Sequence, residues 1–137
     1  MKESVKVEWL SDLAFEVQVD GHKLYIDSLP EHGGKNTGPR PKQFMMVALA
    51  GCTAMDVASI LKKMRENVEE FTVHVEGDLT EEHPKKYTRM KVIYRLKGKD
   101  ISRKNVEKAI HLSQTKYCGV TSNYEKAFPV EHEIIIE

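Results

Sequence analysis

The chain has 137 residues, 40% hydrophobic and 31% charged, a balance that suits one globular domain with a core of its own. Lys and Arg together number 21, as do Asp and Glu, so the formal net charge is zero. Bulk charge therefore gives no reason to expect a nucleic-acid partner or an anionic membrane surface. A neutral chain is also poorly protected against self-association.

From Val5 to Ser28 the sequence predicts two or three antiparallel strands. Val5, Val7 and Trp9 alternate with Lys6 and Glu8, and Phe15, Val17 and Val19 alternate with Glu16 and Gln18. That is the period of a half-buried strand. Ser11-Asp12 and Asp20-Gly21 supply turns, the second a favoured hairpin dipeptide, and Leu24-Tyr25-Ile26 follow as a third strand. Residues 29–40, LPEHGGKNTGPR, form a loop by their Gly, Pro and Asn content.

The stretch around which the rest is organised runs from Pro41 to Met64, PKQFMMVALAGCTAMDVASILKKM. Pro41 suits a first helical turn, where its missing N–H is not needed. Between Phe44 and Leu61 the only ionisable groups are Asp56 and the thiol of Cys52. About 18 apolar residues is near the lower limit for a bilayer span. Against a span, Asp56 would cost roughly 2.5–3.5 kcal/mol near the bilayer centre. Basic residues also flank both ends, with Arg40 and Lys42 before and Lys62, Lys63 and Arg65 after. The expectation is a central helix, ending near Glu66-Asn67, that the remaining elements wrap.

Two long strands should follow, Phe71 to Thr80 and Tyr87 to Leu96, with Met90, Val92, Tyr94 and Leu96 on one face of the second. Ser102 is a good N-cap for a second helix through about Tyr117. Its apolar stripe is Val106, Ala109, Ile110, Ser113 and Tyr117, and Cys118-Gly119 reads as its close. Val130 to Ile136 is a last strand. The order βββ-α-ββ-α-β indicates an α+β fold with a mostly antiparallel sheet around the helices, in a single domain covering 1–137.

The chain has two cysteines, Cys52 and Cys118, and no CxxC or zinc-ribbon spacing. Its opening, MKESVKVEWL, lacks the apolar region and cleavage site of a secretory leader. The expected compartment is the cytoplasm, where structural disulfides are rare. The pair is then either two inert core thiols or a redox couple. Alone, Cys52 reads as a small buried hydrophobe. Cys118, at the end of the other helix, could bring its sulfur within disulfide reach. Asp56, one turn after Cys52, would oppose ionisation of the thiol unless paired. The histidines at 22, 32, 74, 83, 111 and 132 show no HxH or HExxH spacing, so no metal site is expected.

The segment PKQFMMVALAGCTAMDV, with KYCGVTSNYEKAFPVEHEI some 60 residues later, resembles the OsmC/Ohr family of osmotically inducible and organic hydroperoxide resistance proteins. The resemblance spans nearly the whole chain and is closer to the uncharacterised OsmC-like branch than to either named enzyme group. It implies an intertwined homodimer whose strands wrap two central helices, with sites at the dimer interface. It also implies thiol-dependent reduction of organic hydroperoxides without metal, haem or flavin; no nucleic-acid or membrane partner is expected, from the zero net charge and from Asp56 in the apolar run. Carried over, Cys52 is the peroxidatic thiol and Cys118 the resolving one, restored by a dithiol reductant.

The nucleophile is the thiolate, so a cation must face Cys52. The well-studied branches use an Arg from an N-terminal strand and a Glu ten residues before the first Cys. Here position 42 is Lys, and the first two strands contain no Arg. Arg40 and Lys42, with Lys23, are the substitute thiolate-supporting candidates. The alternative function is a non-catalytic binding protein of this fold that takes a hydrophobic ligand and carries redox-sensitive cysteines.

Overall fold

The computed structural model describes residues 1–137, and the chain divides into two compact units, Met1–Met45 and Met46–Glu137. The first unit is an antiparallel sheet of three strands in the order β1-β2-β3, with β1 Lys6–Ser11, β2 Ala14–Val19 and β3 His22–Ile26. Both hairpin turns form where Asp residues accept left-handed backbone. Asp12 (φ 49°) lies between β1 and β2, and Asp20 (φ 48°) with Gly21 (φ 77°) lies between β2 and β3. Two successive positive φ angles are what a tight twisted hairpin demands.

The loop that follows is held by one carboxylate. Asp27, 2% exposed, accepts hydrogen bonds from Thr37 Oγ1 (2.6 Å) and from the N–H groups of Ser28 (2.7 Å), Thr37 (3.1 Å) and Lys35 (3.3 Å). These donors, the Thr37 hydroxyl first, hold its pKa down at about 2. Gly34 and Gly38 let the loop lie against the chain, because a Cβ on either would run into the carbonyls of Ser28 and Tyr25 respectively.

The alternating pattern of β1 predicts a half-buried strand, but every residue of β1 is exposed, Trp9 at 65%.

Helix α1, Gln43–Lys63, leads into the second unit. It starts two residues after Pro41 and stops earlier than Glu66-Asn67, because Arg65 takes the left-handed cap (φ 59°). The N–H of Glu66 then reaches the Leu61 carbonyl at 3.0 Å and that of Arg65 the Lys62 carbonyl at 3.0 Å. A basic residue occupies the position that Gly usually fills. In length and composition α1 is the one helix that would suit a bilayer. Within the chain it is only partly covered: Leu49, Thr53, Val57 and Leu61 are buried, whereas Val47 (60%) and Met55 (75%) are exposed.

The second sheet is β4 (Val68–Leu79), β5 (Tyr87–Gly98) and β6 (Val130–Ile136), in that order. β4 pairs antiparallel with β5 over nearly its whole length, and β6 pairs parallel with β5 from Met90↔Val130 to Leu96↔Ile136. A parallel pair needs a crossover, which the second helix and the turns after it provide. Met90, Val92, Tyr94 and Leu96 are fully buried on one face of β5, as their alternation predicts. With Leu49, Val57 and Leu61 of α1 and Val106, Ala109 and Ile110 of the second helix they make the core.

That second helix, α2, is Arg103–Leu112, capped by Ser102, whose side chain accepts from the Asn105 N–H at 3.2 Å. The Glu66 carboxylate ties its start to the end of α1, accepting from the Ser102 N–H (3.2 Å) and the Asn105 amide (2.7 Å). Helical winding to Tyr117 is expected and found, but the last turn, Ser113–Tyr117, is π-helical. Cys118-Gly119 does not close the run. Cys118 is extended (φ −82°, ψ 100°) and caps a further short helix, α3, Gly119–Tyr124. The Cys118 sulfur accepts from the Thr121 N–H at 3.3 Å, the part that Ser or Thr usually plays, so Gly119 is a first helical residue and not a terminator.

His132, in β6, stacks on Tyr94 with ring centroids 6.0 Å apart and planes 16° apart. Its Nδ1 is buried without a hydrogen-bond partner, and burial lowers its pKa to about 4. The neutral imidazole is therefore the form that folds. A lowered pKa means that the unfolded chain binds the proton first, so stability present above pH 6.5 is lost as pH falls toward 4. Urea unfolding midpoints should drop across that window in the wild type, and the drop should shrink in His132→Phe. Equal pH profiles for the two proteins would refute the assignment.

Candidate functional site

Cys52 sits in the middle of α1, where the backbone is rigid, and is half-buried. Cys118 is 3% exposed and sits at the joint between the π-turn and α3. Asp56, one helical turn after Cys52, is also half-buried. The two sulfurs and a carboxylate oxygen of Asp56 all lie within 4.8 Å of one another. Both cysteines are free thiols. The structure thus brings the two sequence-predicted cysteines together and adds Asp56 to them.

The π-turn is what aims this cluster. Winding one residue wider, it turns Ser113 inward, fully buried, and the Ser113 hydroxyl donates to Asp56 Oδ2 at 3.0 Å. It also ends with the Cys118 N–H on the Ser113 carbonyl at 2.8 Å, which fixes the backbone that carries the second sulfur. α3 then supplies N–H groups to both sulfurs: Thr121 to Cys118, and Val120 to Cys52.

The electrostatics of the pair are unfavourable to a thiolate. Burial, then the Cys118 side chain, push the Cys52 thiol up to about 11, and the Asp56 charge adds to the rise; the Val120 N–H opposes it. The groups that act on Cys52 include no cation. Arg40 and Lys42 stand at the start of α1, twelve and ten residues before Cys52, and the Arg40 N–H donates to Gln43 Oε1 at 3.1 Å. Lys23 forms an ion pair with Glu16 at 3.8 Å.

Two open depressions border the cluster. One, about 510 Å³, is lined by Lys116, Tyr117, Cys118, Gly119 and Ser122 among others; another, about 320 Å³, by Asp56, Ile60, Lys63, Leu112 and Tyr117. Two further hydroxyls are buried, Tyr94, which the Thr53 hydroxyl adjoins, and Thr121 Oγ1, which has no hydrogen-bond partner. Burial raises Tyr94 to about 12, and the charges of Cys118 and Asp56 act on it in the same direction. The Thr53 hydroxyl beside it is engaged by the Leu49 carbonyl at 2.8 Å.

Sequence reasoning placed Ser113 and Tyr94 on buried faces but assigned neither to the site. For Ser113 the signal was available as a hydroxyl in an otherwise apolar stripe. For Thr121 and Val120 there was none, because α3 was read as the end of a helix.

Metal-free reduced protein should react slowly with iodoacetamide at Cys52 near pH 8, the rate climbing toward pH 11. Cys118→Ala removes the larger opposing group and should speed the reaction at pH 8 by roughly 3–10-fold, with a smaller gain in Asp56→Asn. A wild-type rate that levels off below pH 9 would show that Cys52 is not held as the thiol.

The OsmC-like protein family matches residues 33–133. Protein YhfA of Escherichia coli (strain K12) is 33% identical over 128 residues, spanning 93% of this chain and 92% of that protein. Among solved structures, a hypothetical protein of Aquifex aeolicus VF5 superposes with a TM-score of 0.87 at 26% identity, over 100% of this chain and 97% of the other. An organic hydroperoxide resistance protein OsmC of Legionella pneumophila shares the fold, with a TM-score of 0.68 at 15% identity over 98% and 97% of the two chains. The family match takes in both cysteines and the elements that join them, and the α+β architecture agrees with it: the chain belongs to the OsmC-like proteins.

Proposed function

We propose that this protein reduces organic hydroperoxides with thiols, as part of peroxide-stress defence in the cytoplasm. The observation that carries the reading is the meeting of Cys52 and Cys118, one on a rigid helix and one at a joint between two helical turns. The kinship of fold with an organic hydroperoxide resistance protein supports it. Cys52 is the peroxidatic residue: its sulfur attacks the terminal oxygen of R–O–OH, the O–O bond breaks, and Cys52 sulfenic acid and R–OH result. The Cys118 thiol then displaces the hydroxyl as water and forms the disulfide. An external dithiol returns both residues to thiols and leaves as its own disulfide. No step requires a resident cofactor.

Cys52 must ionise for this chemistry, and within the chain its pKa is raised. A cation is required, and Arg40 or Lys42, from the same chain or a second copy, is the proposed source. With an alkyl hydroperoxide and a dithiol in excess, wild type should turn over. Cys52→Ser should lose all activity, and Cys118→Ser should stop at the sulfenic acid and over-oxidise. Undiminished peroxide removal by Cys52→Ser would end the reading.

A second copy of the chain is also part of this proposal. The buried face of α1 is Leu49, Thr53, Val57 and Leu61; the opposite stripe, Val47, Ala48, Gly51, Met55, Ala58 and Ser59, is exposed and uncharged. The space that a Cβ on Gly51 would enter is empty. Such a face is stable in water when a like face covers it, which makes the functional unit a homodimer of this single domain, 1–137. Sedimentation should give a dimer at micromolar concentration and a monomer for Met55→Glu. A folded wild-type monomer at that concentration would exclude the assembly.

One observation favours a different function: no cation is among the groups that shift the Cys52 pKa, and the first unit has an apolar groove of about 300 Å³ lined by Val5, Val17, Leu24, Ile26, Pro41 and Phe44 among others. A non-catalytic protein that binds a hydrophobic ligand there would keep the cysteines as redox-sensitive bystanders. Absence of hydroperoxide turnover together with saturable uptake of a fluorescent fatty acid would select it.

A further inference from the structure

The Cys52, Asp56 and Cys118 side chains present two sulfurs and one carboxylate oxygen within 4.8 Å of one another. In a tetrahedral zinc site, bonds of about 2.3 Å to sulfur and 2.0–2.2 Å to oxygen set neighbouring ligand atoms roughly 3.5–3.8 Å apart. The cluster's 4.8 Å limit exceeds that spacing by about 1.0–1.3 Å, so ligand binding would draw the three atoms together by that much at most. We propose that Cys52, Asp56 and Cys118 form a binding site for a thiophilic divalent cation of the Zn²⁺ class, three protein ligands with a fourth position open.

Three features of the surroundings support a metal and not merely a pair of thiols. The carboxylate is oriented from behind: Ser113, fully buried, donates to Oδ2 at 3.0 Å and leaves Oδ1 available, as outer-shell groups do around metal ligands. Backbone N–H groups face both sulfurs, Thr121 on Cys118 and Val120 on Cys52, the arrangement that stabilises metal-bound thiolates. The fully buried Tyr94 hydroxyl, beside the Thr53 hydroxyl, feels the charges of Cys118 and Asp56, so a polar group stands close to the cluster.

Binding involves no redox change. Each thiol that ligates gives its proton to water, and the metal takes the two sulfurs and the oxygen. Occupied sulfurs cannot attack a peroxide or join as a disulfide, so the cation would act as a reversible cap on the pair. As regulation this rests on the hydroperoxide reading above; as a binding site it does not.

The test uses the full-length, reduced, chelator-washed protein under anaerobic conditions, with Zn²⁺ competed against a chromogenic chelator and Co²⁺ as the spectroscopic probe. The expected result is one Zn²⁺ per chain, protection of both thiols from alkylation, and Co²⁺ spectra with sulfur charge-transfer and tetrahedral d–d bands. Asp56→Asn should weaken Zn²⁺ at least 10-fold, Ser113→Ala about 10-fold, and Cys52→Ser should abolish stoichiometric binding. Formation of the Cys52–Cys118 disulfide by diamide in Asp56→Asn shows that the variant still brings the sulfurs together. Failure to bind one equivalent, or equal affinity in wild type and a correctly folded Asp56→Asn, overturns the site. Hydroperoxide turnover is measured separately on metal-free wild type. Zinc binding without turnover leaves the metal site standing and removes the peroxidase, and turnover without zinc binding does the reverse.

Discussion

A helix that is apolar almost all round but buried on only one face sets the terms for the rest of this structure. The buried stripe of α1, Leu49, Thr53, Val57 and Leu61, carries no charge, and the sole polar side chain in it, Thr53, bonds back to the Leu49 carbonyl. Burial of that stripe fixes how α1 is rotated, and rotation decides where Cys52 and Asp56 point. Neither is on the deepest line of the helix; each lies at its margin, half-buried. That is where a side chain meets both protein and a passing small molecule. A one-residue change in winding would carry the thiol either into the core or onto the exposed stripe with Gly51 and Met55.

The joint at Ser113–Cys118 is the complement to that rigid element. A wide turn followed by an extended Cys118 and a new helix costs hydrogen bonds that a regular helix would make. The structure recovers them locally, through the Cys118 N–H on the Ser113 carbonyl and the Thr121 N–H on the Cys118 sulfur. What the irregularity achieves is position. A regular continuation of α2 would send residue 118 further along the helix axis, whereas the break turns its sulfur back toward α1.

Most of the regular fold was legible because its periodicity is strong. The alternation in β5 and β6, the spacing of three and four in α2 and the length of the apolar run in α1 each name their element. The failures have physical causes. Gly119 was read as a terminator because Gly most often follows a helix, but the residue that decides is Cys118, whose sulfur caps what comes next. Arg65 ends α1 in a conformation usually left to Gly, so no composition signal marked the stop. The exposure of β1 was illegible because alternation reports that a strand has an apolar face, not that its own chain covers it. For the site, the two cysteines were visible and their meeting was conjectural. The sequence puts Asp56 one turn from Cys52 but names no partner for it, because its Ser113 partner arises from the π-turn.

Asp56 is the residue on which the functional readings divide. For thiolate chemistry it is a handicap, since its charge raises the Cys52 pKa that burial and Cys118 have already raised, and a cation must offset all three. For cation binding the same charge is an asset, and the same N–H groups that would steady a thiolate would steady a ligand. The proposed states are mutually exclusive at the atomic level, because a sulfur lone pair given to a metal is withheld from a peroxide and a disulfide has no thiolate to give. The two uses ask for opposite charges beside Cys52: a side-chain cation that lowers the thiol pKa for peroxide chemistry repels a divalent metal, whereas Asp56, which raises that pKa, attracts one.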